Sequence, residues 1–217
     1  MSFALSLASC ASDAPTKQTD APPTVEQLPR YEPTPTTGAD TFVVTEGTLR
    51  WLGKKNIGGE HTGTIQVKDG FLLVNETALA AGRITIDMHS IVVTDLQDPR
   101  ERADLEAHLK DSDFFDVKKY PQSEFLIREV APSHMDAFNT IASGALTLKG
   151  ISKNVNIPVR LNIKDDELKA ESPAFMINRT HWGINFQSGI VGTAKDKLID
   201  DNVSIQLSLR AKRKLPN

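Results

Sequence analysis

The sequence predicts an all-β domain with one short helix: a closed antiparallel barrel of about eight strands around an apolar interior. Three observations predict it. From about residue 41 the apolar residues recur with period two, turn-forming pairs separate the runs, and one capped helix signal stands alone at Asp98. Before residue 41 no such order exists.

The alternation is explicit. Thr64-Ile65-Gln66-Val67-Lys68 alternates, Asp69-Gly70 reads as a hairpin turn, and Phe71 to Val74 continues beyond it. Ile84, Ile86 and Met88 share one face of a strand against Arg83, Thr85 and Asp87. Phe125 and Ile127 alternate with Glu124 and Arg128. Ile157, Val159, Leu161 and Ile163 alternate with Pro158, Arg160 and Asn162, and Val203, Ile205, Leu207 and Leu209 with Asn202, Ser204, Gln206 and Ser208. One greasy and one wet face per strand marks an antiparallel sheet covered on one side. Gly58-Gly59, Lys149-Gly150, Asp165-Asp166 and Asp200-Asp201 are further turn signals. Long one-faced runs, such as Leu146 to Ile163, favour closure into a barrel over an open sandwich. Pro158 has no N–H to give a ladder, so it belongs on an edge or at a bulge.

The helix has a defined start. Asp98 is the N-cap, Pro99 stands at N1 and Glu101 at N3, and the helix runs to about Leu109. Leu105 and Leu109 lie four apart and face the body, as a lid on one barrel end would. Phe114-Phe115 follows, and at least one of these rings plugs the gap beneath the helix.

Outside the barrel, residues 1–10 read as the remnant of a signal peptide. Leu7-Ala8-Ser9-Cys10 resembles a lipobox, whose cysteine is cut and acylated, although the segment lacks a basic start and is short. Residues 11–40 are rich in Pro and Thr and form a disordered tether, the barrel domain occupies 41–212, and 213–217 is a basic tail. A net charge of −3 gives no support to a nucleic-acid partner. A single cysteine excludes an intramolecular disulfide and a cysteine metal cluster. No apolar run is long enough for a membrane-spanning helix.

Catalytic and metal motifs are sparse. His61, His89, His108, His134 and His181 show no metal-ligand spacing. Asp111-Ser112-Asp113 with Asp116 lacks the glycine and distal glutamate of a calcium loop. No Gly-x-Ser-x-Gly elbow, catalytic triad or phosphate loop is evident, so the expectation is no enzyme activity, no metal and no cofactor.

An ordered series of segments carries a resemblance. It runs Arg50-Trp51-Leu52-Gly53-Lys54-Lys55, His61-Thr62-Gly63, Ile86 to Ile91, His108 to Val117, Lys119-Tyr120-Pro121, Gly144 to Lys153 and Asn178 to Ile184. Together, over about residues 42–210, these resemble the YceI-like family of bacterial envelope proteins. The resemblance implies a lipocalin-like barrel holding a polyisoprenoid or other long apolar chain. It supplies no catalytic residues, and the ligand's identity does not carry over.

The expected function is to bind, and sequester or transport, a polyisoprenoid, quinone-like or fatty-acid lipid at the bacterial cell envelope. The candidate cavity lining is Trp51, Ile65, Val67, Ile84, Ile86, Met88, Phe115, Phe125, Ile127, Leu146, Leu148, Val159, Leu161, Phe175, Ile177 and Trp182. Arg179 is either a headgroup contact or a residue closing a turn on backbone carbonyls or an acid such as Asp87. Expected partners are the lipid ligand and a membrane, reached through an acyl anchor on Cys10; a homodimer stays open. Two rivals stand beside this reading: a filled barrel acting as an interaction module, and an enzyme working on a bound lipid.

Overall fold

Alternating residues become long strands because each buries one face and leaves the other to water. The computed structural model describes residues 36–215, apart from 193, 195 and 196. Within them lie β1 (Asp40–Lys54), β2 (Glu60–Asn75), β3 (Ala78–Val93), α1 (Pro99–Lys110), β4 (Gln122–Met135) and β5 (Phe138–Leu148). Then follow β6 (Ile151–Lys164), β7 (Glu167–Glu171), β8 (Phe175–Asn178) and β9 (Asn202–Arg213). The lipobox at Cys10 and most of the 11–40 tether lie outside the described residues.

The strands pair antiparallel in chain order from β1 to β7, β7 pairs with β9, and β9 closes the ring on β1. β7 and β8 share one stave. β7 pairs with Ser208–Lys212 of β9 and β8 with Asn202–Ile205. Between them Ser172 spans the break made by Pro173. Its N–H donates to the Leu207 carbonyl at 2.9 Å, and its Oγ accepts from the Leu207 N–H at 2.8 Å. The result is the expected eight-stave barrel.

Pro158 sits where the sequence argument puts it. β6 pairs with β5 along the Ile151–Val159 stretch, but its pairing with β7 begins only at Arg160↔Glu171. The missing N–H therefore falls where β6 has no ladder neighbour on its second side. The first half of β6 and β8 face one another across this seam without pairing.

Three local expectations are corrected. Asp69-Gly70 is not a turn: β2 runs through it, with a register shift between Val67 and Asp69. A Cβ on Gly70 would meet the Arg83 carbonyl oxygen at 2.6 Å, so glycine here allows close strand approach in a bulged strand. The real hairpin comes later, with Glu76 at φ 54°. The long run from Leu146 to Ile163 is two strands, folded back at Lys149 and Gly150 with φ of 49° and 74°, as a type I′ turn requires. Arg213 ends β9 and does not belong to a loose tail; it pairs with Asp40 and, at 3.2 Å, with Asp166. The strands accordingly reach from 40 to 213.

α1 forms as its cap predicts. Asp98 Oδ1 accepts from the N–H groups of Arg100 and Glu101 at 2.7 and 3.3 Å. Leu109 is buried and Leu105 packs against the core. The helix covers the end of β3, where Glu106 Oε1 accepts the Val93 N–H at 2.9 Å. Asp95, just before the helix, accepts from His61 Nδ1 and the Thr62 N–H, both at 2.8 Å, tying the lid's entry to β2. Burial works to raise the Asp95 pKa, but donation from Thr62 and His61 outweighs it and holds the carboxyl below its ordinary value.

Candidate functional site: an apolar cavity in one half of the barrel

The barrel interior has two halves. Toward the β2–β3 hairpin it is solid: Phe42, Leu72, Val74, Leu79, Leu168 and Ala211 are each at most 3% exposed. The Arg213 guanidinium lies 4.8 Å from the Phe42 ring centroid and finishes that end. Toward α1 the interior encloses a cavity of about 140 Å³.

The cavity wall is built from the inward positions of the long strands. Trp51, Ile65, Ile84, Ile86, Met88, Phe125, Leu146, Leu148, Phe175 and Ile177 all lie on it, as does Phe115 from the segment after α1. The other expected lining residues lie elsewhere. Val67, Ile127, Val159 and Leu161 share the same strand faces but stand away from the void. Val67, for example, abuts Gly47, where an added Cβ would come within 2.7 Å of its Cγ2. Period two says which face a residue takes but not how far along the barrel axis it sits, and that distance separates the two groups.

Trp182 is also not on the wall. It is 2% exposed, and its indole Nε1–H donates to the Leu146 carbonyl at 3.0 Å, which fixes a short 3₁₀ turn (Arg179–Trp182) to β5. The wall gains residues that the sequence reading did not assign to it. Leu49, Val203, Ile205 and Leu207 are inward positions of β1 and β9, where the alternation signal existed. Leu109 and Phe114 come from the lid and its exit. Ile184 and Ile199 come from loops, where no periodicity could mark them.

Phe114 and Phe115 divide their labour. Phe114 is buried, its ring centroid 5.8 Å from that of His108 and 6.2 Å from that of Phe186. Phe115 is half-buried at the wall. His108 also meets Phe186 edge-on at 4.5 Å, so this histidine packs the lid. No group of three or more His, Cys, Asp or Glu side chains suited to a metal ion occurs among the described residues.

Arg179 resolves in favour of the turn. It lines the cavity and is only 2% exposed. Its Nε donates to the Asp200 carbonyl at 3.2 Å, Nη1 to that of Ile184 at 2.8 Å, and Nη2 to that of Ile199 at 3.1 Å and to Asp201 Oδ1 at 3.3 Å. Asp87 plays no part in these contacts. The guanidinium thus has a structural role: each of its three nitrogens holds the loop ends together. Burial lowers its pKa, while Asp201 and Asp200 work in the opposite direction.

The sequence profile of the YceI-like domain family matches residues 40–211, all but the last two residues of the barrel. The chain belongs to that family. Among curated relatives, a UPF0312 protein of Photorhabdus laumondii is 28% identical over 145 residues, covering 67% of this chain and 64% of the relative. Protein YceI of Escherichia coli is 26% identical over the same shares. This YceI-like chain thus aligns with a little under two thirds of the length of those relatives. Among solved structures, BcnA of Burkholderia cenocepacia superposes with a TM-score of 0.57 at 22% identity, covering 76% of this chain and 96% of that one. A polyisoprenoid-binding domain from Saccharophagus degradans superposes with a TM-score of 0.56 at 10% identity, covering 81% and 99%. At such identities the superpositions show a shared fold.

Proposed function

We propose that this YceI-like barrel binds, and sequesters or transports, a long-chain apolar lipid at the bacterial cell envelope, without catalysing a reaction on it. The observation that carries this reading is the void itself. Close-packed interiors leave few holes larger than water, yet here a wall of Leu, Ile, Phe and Trp side chains surrounds about 140 Å³. An apolar hole of that size stays dry and accepts apolar guests. Membership of the family, and the likeness to a domain named for polyisoprenoid binding, support a lipid as the guest. A polyisoprenoid, a quinone-like molecule or a fatty-acid derivative all suit such a wall, and an acyl anchor on Cys10 would keep the barrel near its source of lipid.

Size sets the mechanism. The void as it stands suits one ring-sized group, so a long chain enters by displacing part of the lid, α1 and Phe114-Phe115. Each methylene then leaving water contributes about 0.8 kcal/mol, which offsets the cost of moving packed side chains.

The test is native mass spectrometry of the full chain carrying Cys10→Ser, so that no acyl group adds mass, followed by solvent extraction. The expected result is a discrete added mass released as an isoprenoid or acyl lipid. An unliganded mass that persists after incubation with polyprenols, quinones and fatty acids overturns the proposal and favours a barrel whose outer face meets a partner.

A further inference from the structure

The chain has two tryptophans, and they are satisfied differently. Trp182 gives its indole N–H to a carbonyl. Trp51 lies on the cavity wall, and its Nε1 is buried with no hydrogen-bond partner among the described residues. A buried donor without an acceptor costs about 1–3 kcal/mol, so its persistence calls for a partner in another state of the molecule. Two other described side chains carry such an atom, His108 at Nε2 and Ser143 at Oγ, and neither is on the wall.

We infer that the Trp51 indole N–H is the anchor for the polar end of the lipid, and that it selects a neutral hydrogen-bond acceptor over an anion. The inference rests on the lipid-binding reading above. Its chemistry follows from what the wall offers. An indole N–H is donor only and uncharged, so its complement is a carbonyl, ether or hydroxyl oxygen. Among the described residues the wall's one cation is Arg179, whose nitrogens already bond to three carbonyls and Asp201, so a carboxylate or phosphate drawn into the cavity would meet a charge that is already paired.

The indole is packed on one neighbour and has open space close by. Its ring lies across Gly63, where an added Cβ would come within 2.4 Å of Trp51 Cζ2. On the other side Gly53, the next inward position of β1, has nothing within 4 Å of where its Cβ would be. A guest that widens the cavity can therefore meet an N–H that is enclosed in the empty protein.

A matched series of branched twenty-carbon chains tests this: phytane, phytol and phytanic acid, the hydrocarbon, the alcohol and the acid. The expected order is phytol tightest, with Trp51→Phe weakening phytol by about three- to tenfold, the worth of one neutral hydrogen bond, and leaving phytane unchanged. In ¹⁵N-labelled wild-type protein, phytol should move the Trp51 indole resonance and leave that of Trp182 in place, which keeps the test independent of how Trp51→Phe folds. Equal weakening of phytol and phytane by Trp51→Phe would reduce Trp51 to a shape-filling role, and phytanate binding tighter than phytol would overturn the selection of a neutral end. If phytol and phytane bind wild type equally well and the resonance does not move, the anchor falls while the lipid-binding reading stands. If none of the three binds, both fall.

Discussion

The two halves of the barrel are made by the same eight staves with the same alternation, yet one is solid and the other hollow. In the solid half Ala170 and Ala211 lie beside Leu209 and Leu168 in the ladder, and small and large residues alternate in a packed interior with Phe42 and Leu72. In the hollow half the wall is mostly Leu, Ile, Phe, Val and Trp, interrupted by Gly53, and its end is closed by α1, Phe114 and Phe115, and the Arg179–Trp182 turn. Hydrophobic patterning alone thus builds a barrel. Whether that barrel encloses space depends on the mixture of sizes and on the closure of its end.

The comparison breaks most readily by truncation. Phe42→Ala in the solid half should cost about 3–5 kcal/mol, because its neighbours cannot collapse into the space. Leu148→Ala on the cavity wall should cost clearly less, about 2 kcal/mol, since that side chain already lacks packing partners on one side. Urea unfolding of both variants decides the matter: equal losses would mean that the hollow half is packed as tightly as the other.

A smaller effect sharpens the same contrast. Ile86→Phe places extra volume into the void. It should leave stability within about 1.5 kcal/mol of wild type while abolishing any co-purifying lipid mass. Retention of the full lipid load would place the occupant elsewhere.

The smallest effect concerns the lid's tether. The Asp95 pKa is lowered in the folded chain, so its contribution to stability is present above the unfolded aspartate value and is lost as pH falls through the still lower folded value. Asp95→Asn should therefore reduce stability at neutral pH and flatten its decline in the acid range near and below the ordinary aspartate value. Thermal melts across that range check this, and an unchanged acid slope would show that the tether does not couple to folding.

Much of the fold was legible before any coordinates. Strand faces followed from residues such as Ile84, Ile86 and Met88, and the helix start from Asp98 and Pro99, because period and capping are local properties. Asp69-Gly70 misled because the same pair serves a turn or a bulge, and the choice is made by the neighbouring strand. The site was legible only by face. Val67 and Ile65 are two residues apart and point the same way, yet only Ile65 reaches the void. Ile184 and Ile199 were invisible, since loops place them. Arg179 was correctly framed as a choice, and the choice turned on the carbonyls of residues 184, 199 and 200, the last two brought in from about twenty residues away by tertiary folding.

The seam beside Pro158 bears on how such a container changes capacity. A cylinder of hydrogen-bonded staves has a fixed girth, because widening it anywhere breaks a ladder. Where β6 runs past β8 without pairing, the circumference has a joint, and it lies beside the cavity. Such a joint lets the girth change locally at the cost of side-chain contacts alone, with no ladder hydrogen bond broken.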